Sequence, residues 1–266
     1  MTFKALAIMP VFNEADILAY TLRHLVDQGL SVHVLDNWST DASAGIAQTI
    51  PCVTVEKFPF QGPSTYYEWA RILRRVEEVA ANSKADWCCL HDADEIRRSP
   101  RPEETLLEAF RRIDAEGYSA ANHQVFHFEP TDDRYCGFPE QHFRYYRPGV
   151  VDNRLPHVKA WKNRGQRVDL ASSGGHEARF LGRRVHPDKF VLKHYPLRSS
   201  EQAARKVLRE RMARYDPVER AQNWHVQYNE IAKSQKWIQN PSGLVEWKEE
   251  MVTVWPGNRW SAALCG

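Results

Sequence analysis

The sequence predicts an α/β fold with a mostly parallel central sheet flanked by helices, continued by a mixed C-terminal half. Three observations carry this reading. Short apolar runs alternate with helical patterns four times within the first hundred residues. The runs are continuously apolar, as strands buried on both faces of a parallel sheet must be. Each run also stops at polar residues, where such sheets place their ligands, outside the carboxyl ends of the strands.

Ala5-Leu6-Ala7-Ile8-Met9, closed by Pro10, is the first strand. A helix follows over about Asp16 to Gln28, with Ile17, Leu18, Leu22, Leu25 and Val26 at helical spacing and Gly29 as its stop. Val32 to Leu35 is the second strand, and Asn37 to Asp41 supplies helix-start residues for a short helix ending near Gln48. Val53 to Val55 is the third strand, with a longer helix from about Ser64 to Ala81. Asp86 to Leu90 is the fourth strand, and Glu103 to Glu116 the next helix. Beyond Gly117, Ser119 to Phe128, Phe143 to Tyr146 and Phe190 to Leu192 read as strands. Helices are expected from Ser199 to about Tyr215 and from Val218 to Lys233. The tail from Gln239, with Trp247, Trp255 and Trp260, has little regular pattern.

A net charge of +2 over 266 residues is too small to point to nucleic acid, and the basic clusters are interspersed with acidic residues. The five cysteines follow no zinc spacing, so a reduced, cytoplasmic setting is expected over a disulfide framework. No stretch reaches the roughly 20 apolar residues of a membrane span. Peripheral membrane contact stays compatible with the sequence.

The chemistry concentrates at His91-Asp92-Ala93-Asp94-Glu95. Two carboxylates stand where an apolar strand ends, and in extended chain alternate residues share a side, so Asp92 and Asp94 would converge. Paired hard oxygen donors suit a divalent cation, which suits a phosphate-bearing substrate. Two earlier strand ends carry Pro10-Val11-Phe12-Asn13-Glu14 and Asp36-Asn37-Trp38-Ser39-Thr40-Asp41. Together the three motifs, in this order, resemble the family-2 glycosyltransferases of GT-A type, whose Rossmann-like sheet binds a nucleotide sugar. Trp38 departs from the glycine that often precedes the serine in that family.

The resemblance implies a metal-dependent, inverting transfer of a sugar from a nucleotide diphosphate sugar to a glycan, lipid-linked or small-molecule hydroxyl. Residues 1–117 would be the donor-binding half and 118–266 the acceptor-binding half, in one continuous domain. Pro10, Phe12, Asn13 and Glu14 would border the base, and Asp36 would accept hydrogen bonds from base or ribose. Asp94 would bind Mn²⁺ or Mg²⁺, with Asp92 on the ribose or the same ion. Asp41 reads better as a helix cap. His194, in His194-Tyr195-Pro196-Leu197-Arg198-Ser199, would be a third metal ligand. Arg198 and Lys206 would contact the diphosphate, helped by the helix start near Ser199. Transfer also needs a base for the acceptor hydroxyl. Glu177 and His176, on the Gly174-Gly175 loop, are the first candidates, with Asp169 behind them.

Two other readings compete. A nucleotidyltransferase would carry a glycine-rich basic loop after the first strand, which Pro10 to Glu14 is not. A catalytically silent sugar- or nucleotide-binding protein on the same frame would bind donors without turnover.

Overall fold

The computed structural model describes residues 2–148, 156–221, 224 and 228–249. Strands β1 (Ala5–Val11), β2 (Ser31–Asp36), β3 (Val53–Lys57) and β4 (Trp87–Leu90) pair in parallel in the order β3-β2-β1-β4. They are joined by α1 (Ala15–Asp27), α2 (Ser43–Gln48) and α3 (Trp69–Asn82). The apolar runs form these strands because both faces are covered. Ala7 and Met9 of β1 pack with Leu18 and Leu22 of α1 on one side. Ile8 packs with Leu73 and Val76 of α3 on the other. All four residues of β4 are buried.

Beyond β4 the chain turns back as β5 (Glu95–Arg98) and enters α4 (Leu106–Ala115). Thr105 and Glu108 start that helix with a reciprocal capping box. The expected strand over Ser119 to Phe128 divides at Asn122 into β6 (Ala120–Ala121) and β7 (His123–His127), which join different sheets. A one-turn helix α5 (Pro139–His142), β8 (Tyr145–Tyr146), β9 (Ala160–Lys162) and β10 (Phe190–His194) follow. β9 pairs antiparallel with β4, and β6 antiparallel with β9, so both halves of the chain build the central sheet. β10 lies between β5 and β7 in a second, three-stranded sheet. Ile96, Phe126, Phe128 and Tyr195 form its core, with Trp247 packed against them. β5 and β9 escape prediction because strands of three or four residues carry too little pattern.

The C-terminal segment is helical where expected but is not regular α-helix throughout. The helix expected from Ser199 is α6 (Ser200–Ala204), then a π-helical stretch Arg205–Arg211 and a 3-10 turn Met212–Arg214. α7 (Pro217–Ala221) and α8 (Asn229–Ser234) occupy the two ends of the next predicted helix, and residues 222, 223 and 225–227 lie outside the described ones. The tail supplies β11 (Val245–Glu246), antiparallel to β8. Trp255 and Trp260 lie outside the described residues. The predicted start of α3 at Ser64 is early by five residues, because Tyr67 gives its N–H to the Arg214 carbonyl, 2.6 Å away. Among the described residues, Cys52, Cys88, Cys89 and Cys136 are free thiols, and no helix is long and apolar enough to cross a membrane.

Candidate active site at the carboxyl ends of the parallel strands

The ends of β1, β2 and β4 meet at a cavity of about 480 Å³, lined by residues from Pro10 to Tyr228. This lies within the roughly 300–1,000 Å³ of small-ligand sites. A larger open groove of about 1030 Å³ runs along the outer face of α3, between Glu68 and Glu78 and the Gly165–Ser172 segment. None of the strand-end carboxylates reaches that groove.

The acidic motif is a turn rather than extended chain. Glu95 donates its N–H to the Asp92 carbonyl at 3.1 Å, so Asp92 and Asp94 do not stand side by side as strand alternation predicts. The chain must reverse here for β5 to pair with β10. Each carboxylate instead takes its own ammonium. Lys159 Nζ lies 2.6 Å from Asp92 Oδ2 and 2.7 Å from Glu95 Oε1. Lys206 Nζ lies 2.8 Å from Asp94 Oδ2 and 2.7 Å from Glu14 Oε1. Burial opposes the charge on Asp94, yet Lys206 and His194 hold its carboxyl well below the usual carboxylate range. Glu95 is likewise buried and held well below its usual range by Lys159 and Arg97.

His194 ends β10 with Nε2 3.5 Å from Asp94 Oδ1. Its Nδ1 lies 2.9 Å from Nδ1 of His127 on β7. Burial lowers the affinity of His194 for a proton, but Asp94 outweighs this and raises it. His127 is pushed down to about 3 by burial and by His194, which keeps it neutral near pH 7. The separation of Asp94 Oδ1 and His194 Nε2 is close to the roughly 3–3.5 Å between two donors bound at about 2.1 Å to one ion. Among the described residues no third His, Cys, Asp or Glu joins them in a metal-binding cluster. Two protein donors, with substrate oxygens and water for the rest, is a donor set that Mg²⁺ and Mn²⁺ accept.

The second strand end is built around Asp36, which is wholly buried. Its Oδ1 accepts the Ser39 N–H at 3.1 Å, while Oδ2 has no hydrogen-bond partner among the described residues. A buried acceptor left unsatisfied costs about 1–3 kcal/mol, which a ligand N–H would relieve. Trp38 takes φ 60°, the left-handed backbone that a glycine would adopt freely. The indole donates to the Pro59 carbonyl at 2.8 Å and carries Lys57 over its ring.

Several predicted donor residues turn out to hold the frame. Asn13, at φ 56°, accepts from Thr40 N at 2.8 Å and donates to Glu210 at 2.7 Å, tying both strand-end loops to the π-helical stretch. Asp41, as expected of a helix cap, accepts from Ser43 N and Ala15 N, at 2.9 and 3.1 Å, at the starts of both α2 and α1. Arg198 is wholly buried and does not reach the cavity. It binds Glu14 at 2.5 Å, Asp16 at 2.6 and 2.8 Å, and the Tyr195 carbonyl at 3.0 Å. The helix start beyond it gives Ser200 N–H and hydroxyl to Asp133, at 2.5 and 2.9 Å, instead of facing phosphate. Pro10, Phe12, Glu14, Asp92, Asp94, His194 and Lys206 do line the cavity, whereas Asp36 lies buried behind it and only its neighbour Asn37 is in the lining.

Of the three base candidates, only His176 lines it. Gly175, at φ 87°, packs so closely on Leu90 and Leu73 that a Cβ would sit 3.0 and 3.1 Å from them, and this close approach sets His176 at the cavity. Glu177 turns away to Arg183 at 2.5 Å and Arg179 at 2.8 Å. Asp169 accepts from Ser172 and faces the outer groove.

Sequence reasoning missed Lys159, His127 and Arg211, which also line the cavity. Arg211 lies over the Tyr67 ring at 4.1 Å, and Arg214 over Phe12 at 4.3 Å. In the π-helical turn Lys206, Glu210 and Arg211 share one face toward the strand ends. Such turns are uncommon and cluster at functional sites.

A parallel sheet whose strands end in Asn13-Glu14, Asp36 and Asp92-Ala93-Asp94 around one cavity defines an α/β protein of GT-A type. The model described as glycosyl transferase family 2 matches residues 6–174, and the chain belongs to that family. Among solved structures, S. aureus TarS residues 1–349 in complex with UDP-GlcNAc is 16% identical, over 72% of this chain and 58% of that one, with TM-score 0.43. The TarS 1–349 structure with UDP is also 16% identical, over 88% and 74%, with TM-score 0.43. Mannosyl-3-phosphoglycerate synthase from Rubrobacter xylanophilus is 19% identical, over 49% and 42%, with TM-score 0.35. The chain thus spans less than two thirds of the first of these structures. No curated protein matches it.

Proposed function

We propose that the protein transfers a sugar from a nucleoside diphosphate sugar to an acceptor hydroxyl, with inversion at the sugar carbon as the family resemblance implies. One observation carries this reading: Asp92 and Asp94, each held by a lysine ammonium, line one cavity with Asn37, the residue that follows the buried Asp36 and its unsatisfied carboxylate oxygen. Asp36 Oδ2 receives an N–H of the base, and Phe12 with Arg214 borders the ring. Lys206 and Arg211 face the diphosphate and hold the negative charge that grows as the nucleoside diphosphate leaves. Asp94 and His194, with Asp92 close by, would hold Mn²⁺ or Mg²⁺, which when bound neutralises charge on the leaving group. His176 accepts the proton of the acceptor hydroxyl, since the loop glycines place it on the C-terminal side of the cavity. The acceptor is a glycan, a lipid-linked sugar or a small molecule.

The test is a thermal-shift panel of nucleoside diphosphates and their sugars with Mn²⁺. A ligand that binds only the folded state at 100 times its Kd stabilises by about 2.7 kcal/mol, a shift of several degrees. At least one nucleoside diphosphate is expected to raise Tm and its free nucleoside to do so far less. A flat response across the panel removes the donor reading.

A further inference from the structure

We propose that His127 is a positioning residue for the metal site, fixing the tautomer in which His194 turns a bare Nε2 toward Asp94. The inference rests on the reading of Asp94 and His194 as cation ligands. β5, β10 and β7 lie side by side, and their register places Glu95, His194 and His127 in one row across the sheet. The two imidazoles meet through Nδ1 atoms 2.9 Å apart, with ring planes 64° from parallel. A contact between two ring nitrogens holds one proton, so one ring donates and the other accepts.

The position of that proton decides what His194 offers to Asp94. With the proton on His127 Nδ1, a neutral His194 accepts there and carries its own hydrogen on Nε2. It then faces Asp94 Oδ1, 3.5 Å away, as a hydrogen-bond donor. With the proton on His194 Nδ1, the Nε2 lone pair is free and points into the same gap. Only this second arrangement ligates a cation, and it needs an acceptor at Nδ1. His127 is that acceptor. Imidazole ligands generally donate their second ring N–H to a fixed partner, and loss of the partner costs 10- to 100-fold in metal affinity. The partner here is a second imidazole held on a neighbouring strand, whose backbone carbonyl is fixed by the Arg147 N–H at 3.0 Å.

The test titrates Mn²⁺ alone into the full chain, following the free-ion signal by electron paramagnetic resonance. His127→Leu removes the acceptor, whereas His127→Asn keeps an oxygen near the Nδ1 position. Affinity is expected to fall about 10- to 100-fold in His127→Leu and to stay within about threefold of the parent in His127→Asn. The nitrogen coupling to Mn²⁺ from His194 should persist in His127→Asn, and His194→Ala should abolish it. Equal losses in the Leu and Asn variants would reduce His127 to a packing role. Unchanged affinity in His127→Leu would refute the positioning role while leaving the metal site intact. Failure of the parent protein to bind Mn²⁺ while it still binds a nucleoside diphosphate would remove the metal reading, and this inference with it.

Discussion

Asp94→Asn is expected to lower sugar transfer about 10³-fold and also to lower stability, because it removes one partner of a buried pair and leaves Lys206 with Glu14 alone. The carboxylate does two things that an amide of the same shape cannot. It holds Lys206 at 2.8 Å, and it presents its other oxygen to His194 at 3.5 Å. Its charge is kept by these cations against strong burial, so the loss falls on the electrostatics of the cavity. Single preorganised groups that stabilise transition-state charge are commonly worth 10² to 10³ in kcat, and a metal contact adds several kcal/mol. The measurement is turnover of a radiolabelled nucleotide sugar, hydrolysis included, beside a thermal melt. A variant that turns over within about tenfold of the parent places the chemistry elsewhere.

Arg198→Met should cost about 3–5 kcal/mol of stability, the range for removing one partner of a buried ion pair. At roughly 2–4 °C per kcal/mol for a chain somewhat smaller than this one, Tm falls by about 10 °C. Arg198 ties α1 to the segment after β10 through Glu14, Asp16 and the Tyr195 carbonyl, with no exposed surface. Removing it strands Glu14 with Lys206 alone and leaves Asp16 unpaired. Arg198→Lys should recover only part of the loss, because one ammonium cannot bridge two carboxylates with the geometry of a guanidinium. Calorimetric unfolding decides the point. A Met variant within about 1 kcal/mol of the parent would return Arg198 to a ligand-binding role.

The same residue shows where sequence reading stops. An arginine after a His-Tyr-Pro run looks like a phosphate ligand, and nothing local reveals that Glu14 and Asp16, more than 180 positions earlier, use its charge. Lys206 and Lys159 meet the acidic motif across separations of 112 and 67 residues. Those pairs depend on topology, which periodicity does not encode. By contrast, β1, β2 and β4 were legible because each is a continuous apolar run with a polar stop. Asp36, Asp92 and Asp94 were legible with them, as the residues at those stops. His127 left only a faint signal, one more histidine on a strand already expected, and its pairing with His194 needed the parallel register of β7 and β10. Trp38 was visible as a departure, but only the backbone shows that it takes the left-handed angle a glycine would favour.

The most direct test of the donor cavity is hydrogen–deuterium exchange with and without a saturating nucleoside diphosphate sugar and Mn²⁺. Protection is expected at four separated segments that meet at the cavity: 10–14, 36–39, 92–95 and 205–214. Protection along α3 and residues 165–172 instead would place the ligand in the outer groove and contradict the account.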